Sequence, residues 1–295
     1  MPPKANLTKT ANIDVAAREI DFISRFQANW EALIDIMGIS RPIRKVPGAV
    51  LKSKVATVTL QSSVGEGEDI PYSLAEVDEV TYDEMTIEKY AKAVSIEAIK
   101  DHGYDVAVAR TDTAFLNQLQ GNVTSAFYTY LLTGTTVASY ATFQKALAMA
   151  KGKVLAKFKD LKLTATEVVG FVNVEDFYEY LGDADITVQM EFGMTYIRNF
   201  MGYRVIFLCG EDEIPSGKVV ATPVENIVMY YVDPSDSEFV RAGLEYRTVG
   251  VTPLIGFHTQ GNYNTAVSEC FAIMGVTLFA EYLSGIAVIT VNSGN

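Results

Sequence analysis

Histidine and cysteine are almost missing from this sequence, with two of each in 295 residues. An imidazole- or thiolate-bound zinc site needs three or four such ligands at set spacings, and neither His102 nor His258 has a partner nearby. A Ser-His-Asp arrangement would have to recruit one of the two, and no G-x-S-x-G elbow exists to present a serine. Cys209 and Cys270 sit in apolar runs, so they read as small buried thiols of a reducing compartment. Positive charge is also short, 24 Lys and Arg against 36 Asp and Glu, for a net charge of −12. That excludes a surface that neutralises nucleic-acid phosphates all over. No run approaches the roughly 18 apolar residues of a spanning helix, so no membrane partner is expected. The opening MPPKANLTKTANIDVAAREI lacks the apolar core of a signal peptide, which points to a protein made and kept in a cytoplasm.

The remaining chemical candidates are weak. GEDEIPSGKV, Gly210 to Val219, has the glycines and lysine of a phosphate loop. However, six residues separate the glycines, three of them acidic, and Val219 stands where a P-loop needs Ser or Thr. It reads as a surface turn. Asp183 and Asp185 in LGDADI could chelate a hard cation or act as paired carboxylates, but a solvated turn explains them as well. Sixteen tyrosines and fifteen phenylalanines form no arginine-interleaved stacking platform. No catalytic residue, cofactor or metal is assigned, and the chain does not read as an enzyme.

What the sequence does contain is an unusual order of parts. A basic arm, residues 1 to 12, precedes an amphipathic helix marked by Ile23, Phe26, Trp30, Leu33, Ile34 and Met37, with Gly38 as its stop. RPIRKVPG, Arg41 to Gly48, reads as a Pro-punctuated connector. The stretch from Val55 to Glu97 then reads as a long two-stranded ribbon with an acidic, Gly-containing tip. An isolated hairpin is marginal in water, so this ribbon needs a surface to lie on. A helix of about 40 Å is expected from Asp105 to about Leu132, ending at Gly134. Its stripe is Val108, Phe115, Leu119, Val123, Phe127 and Tyr130, with Arg110, Asp112, Asn117, Gln118 and Asn122 off it. From Ser139 the texture becomes α/β: a helix at 140–158, a strand at 168–173, a helix capped by Asn173 and closed by Gly182, and a strand at 203–209. Strands at 219–221 and 226–232 follow, and LEYRTVG, LIGFHTQ, TAVSECFAIMGVTLFAEYL and GIAVITV suggest a mainly antiparallel finish.

Three segments carry a family likeness. KYAKAVSIEAIKDHGYDVAVARTDTAFLNQLQGNVTSAFYTYLLTG looks like a descending hairpin arm that runs into a spine helix. FMGYRVIFLCGEDEIPSGKVVATPVENI has a strand, a P-x-G turn and another strand, and LFAEYLSGIAVITV looks like a closing strand. In this order, over essentially the whole chain, they resemble the major capsid proteins of tailed bacteriophages, the Hong-Kong-97-type fold. The resemblance implies an α+β chain with an N-terminal arm and helix at 1–38 and an E-loop at 46–86. It implies a peripheral domain, which holds the spine helix, from 39–45, 87–137 and 241–278, and an axial α/β domain from 138–240 and 279–295. It further implies a homo-oligomer of hexamers and pentamers in an icosahedral virion shell around packaged double-stranded DNA. Since only a short arm precedes Ile13, a separate scaffolding protein is expected, together with a portal. Lys52 and Lys54 lie at the ribbon's base and the tip has no lysine, so a lysine cross-link between subunits is not expected. In such a shell the ribbon would lie over another copy of the chain.

Charge asymmetry offers a candidate contact. Glu66, Glu68 and Asp69 crowd the ribbon tip, while Arg41, Arg44 and Lys45 cluster in the connector. The ribbon carries its tip away from that connector by roughly 3.3 Å per residue, so the clusters are expected to meet between subunits. Two alternatives remain at the level of sequence. One is an encapsulin-type compartment, which shares the fold and encloses protein cargo but opens on a cargo-binding helix without a long arm. The other is a soluble hydrolase using Asp183, Asp185 or His258.

Overall fold

The computed structural model describes residues 10–38, 42–46, 48–61, 65, 69–70, 72–182 and 187–292. The arm up to residue 9, Arg41, Glu66, Glu68, Asp183 and Asp185 lie outside the described residues.

The first helix, α1 (Thr10–Met37), begins inside the segment expected to be arm. Phe22, Phe26, Trp30, Leu33 and Met37 recur at three and four and are fully buried. Each contributes about 1.5–3 kcal/mol by leaving water. Gly38 ends the helix at φ +80°, backbone that disfavours any Cβ. The connector is not only a turn. Its Pro42–Arg44 forms a short edge strand β1, where the missing proline N–H costs nothing.

Strands β2 (Val50–Thr59) and β3 (Leu74–Glu84) make the ribbon. The ribbon ends there, whereas the sequence suggested that it runs on to Glu97. Met85 is buried against Val232 and Phe279 and roots it. The chain then enters a separate strand, β4 (Glu88–Ser95), followed by a short helix α2 (Ile96–His102) capped by Ser95. The spine begins at Asp105 as a π-helical turn, Asp105–Ala109, and continues as α3 (Arg110–Leu131).

Beyond it lie β5 (Thr136–Tyr140), α4 (Phe143–Asp160), β6 (Val168–Asn173) and α5 (Val174–Leu181). Asn173 caps α5 by accepting from the Glu175 N–H at 2.8 Å, as its position predicts. Strands β7 (Gln189–Glu191), β8 (Met194–Arg198), β9 (Val205–Cys209), β10 (Lys218–Pro223) and β11 (Ile227–Tyr231) follow. A short helix α6 (Ser237–Arg241) leads to β12 (Ile255–Asn262), β13 (Val267–Met274), β14 (Val276–Ala280) and β15 (Ala287–Val291). LEYRTVG is not a strand. Glycines at φ +78° and +86° bracket it, and it keeps one bridge, Arg247 to Phe257.

A seven-stranded mixed sheet in the order β5-β15-β10-β6-β9-β8-β7 forms the centre. All six residues of β6 are buried because both of its faces are covered. On one face α4 and α5 place Ala146, Leu147, Ala150, Val154 and Phe177 over Val168, Val172 and Ile206. On the other, residues of α1 and α3 such as Trp30, Phe127, Tyr128 and Leu131 belong to the same cluster as Val169, Phe171 and Phe207. The finish is split rather than continuous: β14 pairs with β11 and β1, and β12 and β13 pair with β4. The closing strand β15 runs antiparallel to β10 but parallel to β5.

Candidate assembly surfaces

Of the residues first weighed for catalysis, Asp183 and Asp185 lie outside the described residues, and the two histidines lie on separate elements. His102 is exposed on α2, and His258 is half-buried on β12, in register with Phe271. Among the described residues, no three His, Cys, Asp or Glu side chains group as metal ligands. Cys209 and Cys270 are buried and free, and burial pushes both thiols above their ordinary range. The acids of the 210–218 loop hold their own backbone. Glu213 accepts from the Gly210 N–H at 2.8 Å, and Glu211 accepts from Ser216 N–H and Asn173 Nδ2, both at 2.8 Å. A loop stitched by carboxylates is a poor phosphate cradle.

The ribbon is the larger anomaly. β2 and β3 form a sheet of two, antiparallel, with Ala56 opposite Val77 and Lys54 opposite Glu79. Val58, Leu60, Leu74 and Val77 are 55–78% exposed, and Ile70 and Tyr72 reach 84% and 98%. By register Val58 and Val77 share one face of the ribbon and Leu74 lies on the other, and exposed apolar groups on such a ribbon mark a surface that something else covers. The root is fixed, with Gly48 and Met85 N–H groups donating to Met85 and Ala49 carbonyls at 3.0 Å.

Of the six residues expected to bind across subunits, Asp69, Arg44 and Lys45 are described. Asp69 is exposed. Arg44 is engaged within its own chain, 3.1 Å from Asp233 and 3.5 Å from Asp236, and Lys45 lies 4.9 Å from the centre of the Tyr230 ring. The Arg44 side chain remains 54% exposed, so one face of it still meets solvent.

Sequence reading missed the clamp that holds α1. Asp112, expected off the apolar stripe, is buried at 3% exposure and accepts from Arg18 Nη2 at 2.7 Å and Lys92 Nζ at 2.6 Å. Burial alone would raise its pKa, but the hydrogen bonds and charges of Arg18 and Lys92 outweigh that and hold it below the usual aspartate value. Glu19, also buried, pairs with Arg247 and accepts from Thr259 N–H and Oγ1 at 2.7 and 2.8 Å. Arg204 donates to the carbonyls of Asp35 and Ile36 at the end of α1. The only sequence signal was a charged residue within one turn of each apolar stripe.

No family model matches the chain, and no curated protein sequence matches it. Solved structures do. The capsid of an empty GTA particle is similar over 87% of this chain and 89% of its own, at 9% identity and a TM-score of 0.55. The mature capsid of bacteriophage PhiM1 is similar over 88% and 87%, at 9% identity and a TM-score of 0.54. The holo-SrpI encapsulin complex from Synechococcus elongatus is similar over 90% and 89%, at 10% identity and a TM-score of 0.50. The fold is the Hong-Kong-97-type capsid fold. The matched structures are shell assemblies of many copies. Among the described residues no helix is long and apolar enough to cross a membrane.

Proposed function

We propose that the chain is the major capsid protein of a tailed double-stranded DNA bacteriophage, assembling as hexamers and pentamers of an icosahedral shell. The ribbon carries this reading. Among the described residues its strands β2 and β3 form a sheet of two, it exposes Leu60, Ile70, Tyr72 and Leu74, and Met85 roots it in the core. A second copy is the partner that a repeated, symmetric assembly supplies. β2–β3 is then the E-loop and α3 the spine. The peripheral domain is built from 39–45, 87–137 and 241–278, and the axial domain from 138–240 and 279–295. A separate scaffolding protein and a portal complete the particle, which assembles in the host cytoplasm and packages DNA.

An encapsulin-type compartment is the second reading, favoured by one observation: the chain is helical from Thr10, where an extended arm was expected. The capsid reading is supported by the order of parts along the chain, from hairpin to spine helix to α/β domain to closing strand. Particles purified from cells that produce the chain with its scaffold and packaging machinery distinguish the two. Nuclease-protected double-stranded DNA inside supports the capsid; a co-purified enzyme inside an otherwise DNA-free shell supports the compartment.

A further inference from the structure

Helix α4 is a positive stripe on an acidic molecule. Residues 145 to 162 hold six lysines and a single acid, Asp160, in a chain of net charge −12. Ala146, Leu147, Ala150, Val154 and Phe158 form its buried face, so the lysines occupy the outward arc. Two are engaged locally: Lys151 donates to the Gly202 carbonyl, and Lys145 lies 5.8 Å from the Tyr140 ring centre. Among the described residues, Lys153, Lys157 and Lys159 pair with no carboxylate.

A cleft of opposite character opens at the other end of the same helix. It measures about 340 Å³ and is lined by Phe143, by Asp176, Glu179 and Tyr180 of α5, and by Ser216 and Gly217. Asp176 is committed to the loop, accepting from Ser216 Oγ and Gly217 N–H at 2.6 Å. Glu179 is exposed, and no described group donates to its carboxylate. The rings of Phe143 and Tyr180 stand beside it, 5.4 Å apart. A carboxylate next to aromatic faces receives an ammonium group by charge and by cation–π attraction.

Lys145 stands near the cleft but leans on the Tyr140 ring, and the three lysines without a carboxylate partner cannot reach the cleft within one chain. At roughly 1.5 Å per residue, Lys153 lies about 15 Å along the helix from Phe143, and Lys159 about 24 Å. Resting on the shell reading above, we infer that the α4 lysines of one copy dock at the Glu179 cleft of the next, head to tail around the capsomer axis. Two different patches of one chain that complement each other make a heterologous contact, which closes into a ring when the rotation allows. Packaged nucleic acid is the competing occupant. The presence of an acceptor in the same chain, out of reach of Lys153, Lys157 and Lys159, favours a second copy.

Three variants test this: Lys153→Glu with Lys157→Glu and Lys159→Glu; Glu179→Lys with Glu175→Lys, the exposed acid one turn before it on α5; and all five changes in one chain. All the changed residues are exposed or half-buried, and circular dichroism and thermal melting establish that each variant is folded. The readout is the fraction sedimenting as rings or shells at low and high salt, about 50 and 500 mM. Each single-sided reversal is expected to lower that fraction by about tenfold or more at low salt, and the five-fold change to restore it. Mixing the two single-sided variants should restore six-membered rings, in which all-acidic and all-basic copies alternate, but not five-membered ones. The inference is overturned if either reversal assembles like the wild type, or if mixing restores nothing. It is also overturned if the lysine variant assembles normally but no longer retains a duplex DNA probe. A wild-type chain that stays monomeric even with scaffold contradicts the shell reading itself, and this contact falls with it. Loss of the contact alone leaves an assembling wild type.

Discussion

At the scale of single residues the molecule is held by charges that its sequence made look solvated. Asp112 joins α1, α3 and β4 by accepting from Arg18 and Lys92, with 4% of its side chain exposed. Replacing it by Asn leaves two half-buried cations, Arg18 and Lys92, without their counter-charge and is expected to destabilise the fold by about 2–4 kcal/mol, read by urea unfolding. Its folded pKa lies below the ordinary aspartate value of 3.8. The ionised group therefore stabilises fully above about pH 4, and that contribution is lost as pH falls through the folded value. The wild type should lose the corresponding stability as pH falls below the ordinary aspartate value, and Asp112→Asn should lack this part of the acid limb. Gly134 makes a second case. A Cβ there would stand 2.7 Å from Ile286 Cβ and 2.8 Å from its carbonyl oxygen, so the glycine serves close packing and not only the helix end. Gly134→Ala is expected to cost about 1–3 kcal/mol, measured the same way. Periodicity shows that a face of α3 is buried, but not that α1 and β4 cover the flank beside it. For that reason Phe115 and Leu119 were legible and Asp112 was not.

At the scale of elements, long patterned segments were legible and short ones were not. α1, α3, α4, α5, β6 and β9 carry enough apolar repeats, caps and stops to be read directly. The three-residue strands Pro42–Arg44 and Gln189–Glu191 exist because β11 and β8 stand beside them, and no local pattern announces a distant partner. The ribbon was legible as a hairpin and its length was overestimated. The alternation of Glu88–Ser95 looks the same whether its partner is β2 or β13. Replacing Ser62 to Glu79 by a short Gly-Ser turn should leave one cooperative melt, because among the described residues β2 and β3 form a sheet of their own. The shorter closure changes loop entropy by only about a kcal/mol. Particle formation should fail. Loss of the cooperative transition in calorimetry would place the ribbon in the core and contradict the reading.

At the scale of the whole molecule, the assembly surfaces were legible only as imbalances of charge and uncovered apolar groups. We propose that the tip acids Glu66, Glu68 and Asp69 meet Arg41, Arg44 and Lys45 of a neighbouring copy. Arg44 would then exchange part of its contact with Asp233 and Asp236 for the neighbour's acids. Each exposed pair is worth about 0.2–1 kcal/mol, and a shell repeats it in every subunit. Changing the three acids to Lys should lower shell yield by light scattering, most at low ionic strength. Reversing the three cations to Glu in the same chain should restore part of it. Normal assembly of the triple-Lys variant at low salt would show the tip to be merely solvated.

The central claim is that this chain is a shell subunit whose ribbon lies on its neighbour. Cryo-electron microscopy of the purified protein, with and without co-expressed scaffold, tests it most directly. The account predicts closed icosahedral particles or their capsomers, with density for β2–β3 lying over an adjacent copy and Leu60, Ile70 and Tyr72 covered. A population of monomers under both conditions, or particles whose ribbons project into solvent, would contradict it.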